Sequence, residues 1–200
     1  MTRGHGTAGK DRRAVVLGAS AGGLEALASV LGHLSEGYPF PILAVIHRAP
    51  TEAGRMSDYF AARCRIRVEE PCPGEPARTG RVYLAPADYH LLAERDGTLS
   101  LSMDEKVNFS RPSIDVLFES AARAWGAGLI GVLLTGSNGD GTSGMLAIRK
   151  AGGLTMAQDP RTAEHPFMPR AAIEAGGAER VLPLEAIGPA LNALAGRPGS

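Results

Sequence analysis

The sequence predicts an α/β fold, a doubly wound and mostly parallel sheet with helices on both faces and a small antiparallel β-hairpin insertion. Two observations favour this class. Short apolar runs alternate with segments of helical spacing towards both ends of the chain, which is typical of parallel strands joined by crossover helices. The middle of the chain has short strand-like segments punctuated by turn residues. We expect a single domain over residues 13–195.

The first half opens with a β-α-β-α pattern. The run at 13–18 is short, apolar and bounded by charge and glycine, which is typical of a buried strand, and the run at 41–47 is similar. Between these strands, residues 23–34 carry leucine and valine at helical spacing. A second helix is expected at 52–63.

The middle of the chain, residues 65–102, contains four short candidate strands separated by the turn-rich segments PCPGEP, PADY and RDG. We expect these strands to form antiparallel pairs, with an Arg-Asp-Gly turn joining two of them. The four segments are RIRVEE at 65–70, RVYLAP at 81–86, YHLLAE at 89–94 and TLSLS at 98–102.

The second half alternates helices and strands again. Ser113 is predicted to cap a helix that ends near Gly126, because serine accepts hydrogen bonds from the first turn and glycine suits the last. Residues 1–12 are predicted to be a disordered tail and residues 196–200 a frayed C-terminus. The predicted elements are a helix at 113–126, a strand at 129–135, a helix at 141–153, a strand at 154–158, a helix at 167–177 broken by Pro169, and a last helix at 184–196.

Composition argues against several classes of function. The 21 basic and 21 acidic residues leave no net charge, which argues against nucleic acid as the main partner. No apolar run approaches the roughly 20 residues that a membrane span requires. Cys64 and Cys72 are too few for a disulfide framework and have no zinc-site spacing, so we expect reduced thiols in the cytoplasm and no metal site.

Three polar residues stand where predicted parallel strands end. Ser20 follows the first strand, His47 closes the second, and Asp140 follows the strand at 129–135. Ligands and reactive groups gather beyond the carboxyl ends of such strands. A hydroxyl, an imidazole and a carboxylate at one edge are the nucleophile, base and orienting acid of acyl transfer.

Each of the three residues also has a simpler interpretation. Ser20 alone could cap a helix, His47 could be a buried and satisfied histidine, and Asp140 could form a turn. Their convergence from three separate strands favours the catalytic interpretation. His90 and His165 are rival bases, but neither ends a predicted parallel strand.

The segment Gly18-Ala19-Ser20-Ala21-Gly22 matches the G-x-S-x-G nucleophile elbow, in which small residues allow a sharp strand-to-helix turn. The chain order Ser, His, Asp differs from that of α/β-hydrolases, so the match is a physical analogy only. A phosphate or dinucleotide cradle is the rival interpretation. The sequence lacks the G-x-G-x-x-G spacing and the Walker lysine of such sites. His47 also stands where a dinucleotide site would have an acidic residue.

Several further motifs occur over roughly residues 13–195. On the basis of these motifs, the sequence resembles the catalytic domain of the chemotaxis receptor protein-glutamate methylesterases, the CheB family. The motifs are VLGASAGG at 16–23, the strand into His47, GRVYLAPADYH at 80–90, RPSIDVLFES at 111–120, LLTGSNGDGTSGM at 133–145 and PFMPRAAI at 166–173.

The resemblance implies hydrolysis of γ-glutamyl methyl esters on chemoreceptors or receptor-like signalling proteins, sometimes with deamidation of glutamines. The family's Ser-His-Asp triad falls on Ser20, His47 and Asp140, and no metal or organic cofactor is implied. The backbone N–H of Ala21 is the expected oxyanion donor. Oxyanion or substrate contacts are also expected at Gly22, Ser137 and Asn138.

This sequence departs from the family pattern in ways that bear on substrate and control. Ala21 and Ser137 stand where the family often has threonine and methionine, so the rim that faces substrate differs. Only about a dozen residues precede the first strand, whereas the family usually carries a receiver domain. We therefore expect constitutive activity or control by a separate response-regulator chain. The alternatives are a non-catalytic interaction module and a small-molecule serine esterase on the same fold.

Overall fold

The computed structural model describes residues 13–47 and 56–196, and nine strands and six α-helices are formed within them. In chain order these are β1 (Ala14–Ala19), α1 (Gly23–Leu31), β2 (Ile42–Ile46), α2 (Met56–Ala61), β3 (Arg67–Glu69), β4 (Arg81–Leu84), β5 (His90–Ala93), β6 (Leu99–Ser102), α3 (Ile114–Trp125), β7 (Leu129–Leu133), α4 (Thr142–Lys150), β8 (Leu154–Gln158), α5 (Phe167–Glu174), β9 (Arg180–Leu182) and α6 (Leu184–Ala195).

Seven strands form one parallel sheet in the order β3-β4-β2-β1-β7-β8-β9, and β5 and β6 form a separate antiparallel pair. Alternate side chains of the central strands point to opposite faces. One face packs against α1, α2 and α6, and the other packs against α3, α4, α5 and the β5–β6 pair. The predicted doubly wound α/β class, with helices on both faces and a hairpin insertion, is confirmed.

The predicted antiparallel pairing of the first two middle strands is wrong. β3 and β4 pair parallel with each other, and β4 pairs parallel with β2, so both extend the main sheet. The eleven residues 70–80 that join them form a short crossover, which parallel strands require. Only β5 and β6, joined through the Arg-Asp-Gly turn, form the expected antiparallel pair.

Two features near the C-terminus also differ from expectation. α5 is continuous and is not broken by Pro169, because this proline lies in the first turn, where a missing N–H leaves no internal bond unmade. The three-residue strand β9 was not predicted, since its short and partly charged sequence carries no clear period. The predicted start of the helix at 52–63, the tail at 1–12 and residues 197–200 lie outside the described residues.

Glycines let α3 approach the centre of the sheet. A Cβ on Gly18 of β1 would come within 2.5 Å of Cγ2 of Ile114, and one on Gly141 would come within 2.8 Å of the same atom. Both positions therefore need glycine for the first turn of α3 to pack against β1 and the loop after β7. No described helix is long and apolar enough to cross a bilayer.

Candidate active site

Three adjacent strands, β2, β1 and β7, deliver the predicted reactive residues to one edge of the sheet. Ser20 directly follows β1, and its backbone N–H donates to the Thr135 carbonyl beyond β7 at 2.9 Å. His47 directly follows β2, and its backbone N–H donates to the Ala19 carbonyl at 3.0 Å. The parallel register thus sets Ser20 and His47 side by side, and Asp140 lies in the loop that follows β7.

His47 and Asp140 form a direct hydrogen-bonded pair. Nε2 of His47 lies 2.7 Å from Oδ2 of Asp140, and the aspartate side chain is fully buried. An ionised carboxylate can only accept, so the proton of a neutral imidazole lies on Nε2. Nδ1 is then the ring nitrogen that can accept a proton from a neighbouring hydroxyl.

The carboxylate of Asp140 accepts hydrogen bonds from five donors in three other parts of the chain. Burial raises its pKa, but the hydrogen bonds from His47, Asn108 and the Ile114 N–H outweigh that effect and hold the pKa below its ordinary value. The carboxylate therefore stays ionised. On Oδ2 the donors are Nε2 of His47 and the N–H of Ile114 at 2.7 Å each, and on Oδ1 they are Nδ2 of Asn108 at 2.9 Å, Oγ of Ser113 at 2.9 Å and the N–H of Asp115 at 3.1 Å.

The N-terminus of α3 supplies three of these donors. Ser113 is the N-cap, as predicted, and its hydroxyl oxygen accepts from the Val116 N–H while the hydroxyl donates to Asp140. The first backbone N–H groups of a helix lack partners within the helix and carry partial positive charge. Asp140 satisfies two of them, so the helix end stabilises the buried charge.

A second buried carboxylate, Asp115, was not foreseen from the sequence. Its Oδ1 accepts from the Gly144 N–H of α4 at 2.7 Å, and its Oδ2 accepts from Nδ2 of Asn108 at 2.8 Å. Burial is the main cause that raises the pKa of Asp115, and the neighbouring charge of Asp140 acts in the same direction. Asn108 is 32 positions from Asp140 in a loop, and no sequence signal links the two.

A pocket of about 290 Å³ opens beside the nucleophile position. Its lining includes Ser20, Ala21, Gly22, His47 and Met56. The backbone N–H groups of Ala21 and Gly22 make no hydrogen bond to any residue of 13–47 or 56–196. They lie at the start of α1, where Gly22 adopts the left-handed conformation with φ 72°. Unpaired donors beside a hydroxyl are the elements of an oxyanion hole.

The remaining predicted contacts lie in the loop after β7. Asn138 accepts from the Asp140 backbone N–H through Oδ1 at 3.2 Å, which shapes the turn that presents Asp140. Ser137 is exposed, and it is not among the residues that line the Ser20 pocket. The structure thus brings Ala21 and Gly22 to the pocket, and it gives Asn138 a contact within its own turn.

The two rival histidines lie elsewhere. His90 is buried, its Nδ1 accepts from the Ser113 N–H at 3.1 Å, and its Nε2 lies 3.0 Å from the Glu105 carbonyl. Both of its ring nitrogens are therefore engaged in structural contacts. The ring of His165 lies 3.4 Å from Oε1 of Glu164 and is partly exposed. Of these histidines, His47 is the one bonded to Asp140.

Ser20, His47 and Asp140 thus have the residue types and the strand-edge positions of the nucleophile, base and acid of a serine hydrolase. Residues 15–191 match the family model of the CheB methylesterase, and the chain belongs to that family. Among the described residues, no group of three or more His, Cys, Asp or Glu side chains could hold a metal ion.

Similarity to known proteins supports this family membership. A Leptospira interrogans relative, provisionally named protein-glutamate methylesterase/protein-glutamine glutaminase, is 47% identical over 87% of this chain and 90% of its own length. A Pseudomonas aeruginosa protein-glutamate methylesterase/protein-glutamine glutaminase is 42% identical over 93% of this chain, which spans 54% of that protein. The crystal structure of the Thermotoga maritima CheB methylesterase catalytic domain superposes with a TM-score of 0.87 at 33% identity, covering 94% of this chain and all of that one.

Proposed function

We propose that this protein is a protein-glutamate methylesterase that hydrolyses γ-glutamyl methyl esters on chemoreceptors or receptor-like signalling proteins. The observation that carries the proposal is the 2.7 Å pair of His47 and Asp140 beside the pocket that Ser20 lines. Family membership and the names of the relatives support the choice of a glutamyl ester as substrate. Residues 13–195 form the catalytic unit in this proposal.

Acyl transfer follows from the geometry. The imidazole of His47 takes the proton of the Ser20 hydroxyl as the serine oxygen attacks the ester carbonyl. Asp140 stabilises the resulting imidazolium and keeps the ring in the orientation that points Nε2 at the carboxylate. The same imidazolium then protonates the leaving methoxide, and methanol departs. Water, deprotonated by His47, attacks the acyl-enzyme and releases the glutamate side chain from Ser20.

The oxyanion of each tetrahedral intermediate would lie at the start of α1. The N–H groups of Ala21 and Gly22, which bond to no described residue, are its donors, and the helix N-terminus adds partial positive charge. The same site can attack a primary amide, so glutamine deamidation is included in the proposal. There the imidazolium of His47 would protonate the amide nitrogen, which departs as ammonia in place of methanol.

We place this activity in the cytoplasm. Cys64 and Cys72 are both free thiols, which suits a reducing compartment. The substrate glutamates would then lie on a segment of the receptor that is accessible from the cytoplasm. A separate response-regulator chain is the regulator that this proposal allows.

Methanol release tests the proposal. Wild-type protein and Ser20→Ala would each be incubated with a receptor fragment methylated on glutamate, and methanol measured over time. We expect release by the wild type and a loss of several orders of magnitude in the variant. A fluorophosphonate that labels reactive serines provides a substrate-independent control. Labelling at Ser20 without methanol release would favour a different ester as the substrate. The absence of both labelling and methanol release would favour the non-catalytic module.

A further inference from the structure

The side chain of Asn108 lies between two buried carboxylates. Its single amide nitrogen, Nδ2, donates to Oδ2 of Asp115 at 2.8 Å and to Oδ1 of Asp140 at 2.9 Å. A primary amide nitrogen has two hydrogens, so one serves each carboxylate. Asp115 and Asp140 are 5% and 0% exposed, and the amide is a neutral donor between two negative charges that water does not screen.

The backbone that holds this amide is unusual. Asn108 and Phe109 both have positive φ, at 51° and 62°. Asparagine tolerates the left-handed region, but phenylalanine adopts it only at a steric cost. Burial of Phe109 does not offset that cost, because this residue is 97% exposed. The Val107–Ser110 bridge closes the turn, and the Asn108 amide anchors it to the carboxylates.

The loop is also tied down beyond the turn. Arg111 donates through Nη1 to the carbonyls of Met103 and Asp104, and through Nε and Nη2 to the carboxylate of Asp88. These contacts hold both ends of the loop against the rest of the domain. Substitution at Asn108 can therefore remove the amide while the surrounding loop keeps its attachments.

We propose that Asn108 is a positioning residue for the reaction of Ser20, His47 and Asp140, a role that rests on the proposed function. Its amide separates the two carboxylates and fixes Oδ1 of Asp140, which leaves Oδ2 aimed at Nε2 of His47. Ser113 and the first N–H groups of α3 also bind Asp140, but Asn108 alone among these donors binds both carboxylates.

Loss of the amide would change the protonation of the carboxylate pair. Two buried carboxylates without a donor between them favour the uptake of one shared proton. The titratable groups that face the pair are His47, which bonds to Asp140, and Glu119, which lies one turn along α3 from Asp115. A proton shared between the two carboxylates reduces the negative charge that Asp140 presents to His47, so the hydrogen bond that orients the His47 ring weakens and the imidazolium formed in the reaction is less stabilised.

Two variants isolate the amide. Asn108→Gly removes the side chain but keeps a residue that adopts positive φ without strain. Asn108→Ala also removes the amide but keeps a Cβ and adds no charge, which covers the case in which the glycine variant folds poorly. Asn192→Ala is the matched control, because it deletes an exposed amide that donates to the His33 carbonyl on the opposite face of the sheet.

The measurements are kcat and KM on a methylated receptor fragment, and the imidazole ¹⁵N and N–H signals of His47 in substrate-free protein. We expect kcat to fall by about 10- to 100-fold in both Asn108 variants, as for other residues that orient a catalytic group, with little change in KM. We expect the Nε2 proton of His47 to be strongly deshielded in the wild type. Its signal should shift upfield at pH 7 in both Asn108 variants and return towards the wild-type position at higher pH in Asn108→Gly. Asn192→Ala should match the wild type in every measurement.

Unchanged kcat in both variants would overturn the proposal, and so would a reduced kcat with unaltered His47 signals. The spectra and the rate of fluorophosphonate labelling at Ser20 need no ester substrate. If the wild type released no methanol, slower labelling and a shifted His47 proton in the variants would still support the positioning role while the proposed substrate failed. If both variants had the labelling rate and the His47 spectra of the wild type, the positioning role would be rejected whether or not the proposed substrate is correct.

Discussion

The carboxylate of Glu164 lies against Gly22, the second residue after Ser20. A Cβ built on Gly22 would come within 2.7 Å of Oε2 of Glu164, so this negative charge stands at the same helix end as the proposed oxyanion donors. The helix N-terminus favours the charge in the substrate-free protein. In the reaction the same carboxylate would oppose a developing oxyanion.

Neutralising Glu164 should therefore speed ester hydrolysis. We expect Glu164→Gln to raise kcat/KM for a methylated receptor fragment by about 2- to 5-fold at low salt, because the glutamate is largely exposed and screened. The gain should shrink as ionic strength rises. Glu174→Gln, at an exposed position of α5, is the control and should leave the rate unchanged. A slower Glu164→Gln enzyme would instead assign the carboxylate a supporting role.

Gly22 should not tolerate a side chain. In Gly22→Ala, positive φ and contact with Glu164 combine, so we expect a loss of about 1–2 kcal/mol in the free energy of unfolding, together with lower esterase activity. Urea unfolding checks the first effect and methanol release the second. Gly37→Ala is the matched control, since a Cβ there meets nothing within 4 Å. Equal stability of the two variants would contradict the prediction.

Ser113 should matter for both stability and rate. Ser113→Ala removes the cap of α3 and one donor to Asp140, so we expect a loss of about 1–2 kcal/mol in the free energy of unfolding and a measurably lower kcat. Ser143→Ala, at an exposed position in α4, should have neither effect. A stable Ser113→Ala protein with normal kcat would show that the other donors suffice.

The contribution of Asp140 should depend on pH. Its folded-state pKa lies below the unfolded value of about 4, so its stabilising effect is complete above that pH and is lost as pH falls through the folded-state pKa. We expect Asp140→Asn to cost roughly 3 kcal/mol at pH 7, since an amide cannot accept from all of the donors present. The difference from wild type should narrow between about pH 4 and pH 2. Urea unfolding across that range measures it, and a constant difference would refute it.

Sequence patterns predicted the parts of the site that depend on strand ends. Ser20, His47 and Asp140 each follow an apolar run, and the adjacency of their strands is set by parallel register. The cap at Ser113 was visible because a serine directly precedes a run of helical spacing. Local signals of this kind determine which residue ends an element and therefore which side chain reaches the sheet edge.

Features that depend on tertiary packing could not be predicted in this way. Asn108 and Asp115 meet Asp140 only because Gly18 and Gly141 let α3 pack closely on β1. The direction of β3 and β4 could not be predicted either, because strands this short have no sequence pattern that distinguishes parallel from antiparallel pairing. Long-range contacts and strand direction are properties of the assembled sheet.

The residues of the proposed catalytic site come from both halves of the chain. Ser20 and His47 precede the turn between β5 and β6, whereas Asp140 and all of its donors other than His47 follow it. A cut between Asp96 and Gly97 would give one fragment with the proposed nucleophile and base and another with the proposed acid and its hydrogen-bond donors. Because β1 and β7 are hydrogen-bonded neighbours, these fragments would bring Ser20, His47 and Asp140 together only on reassociation, so the domain is suited to a split-enzyme reporter of fragment complementation.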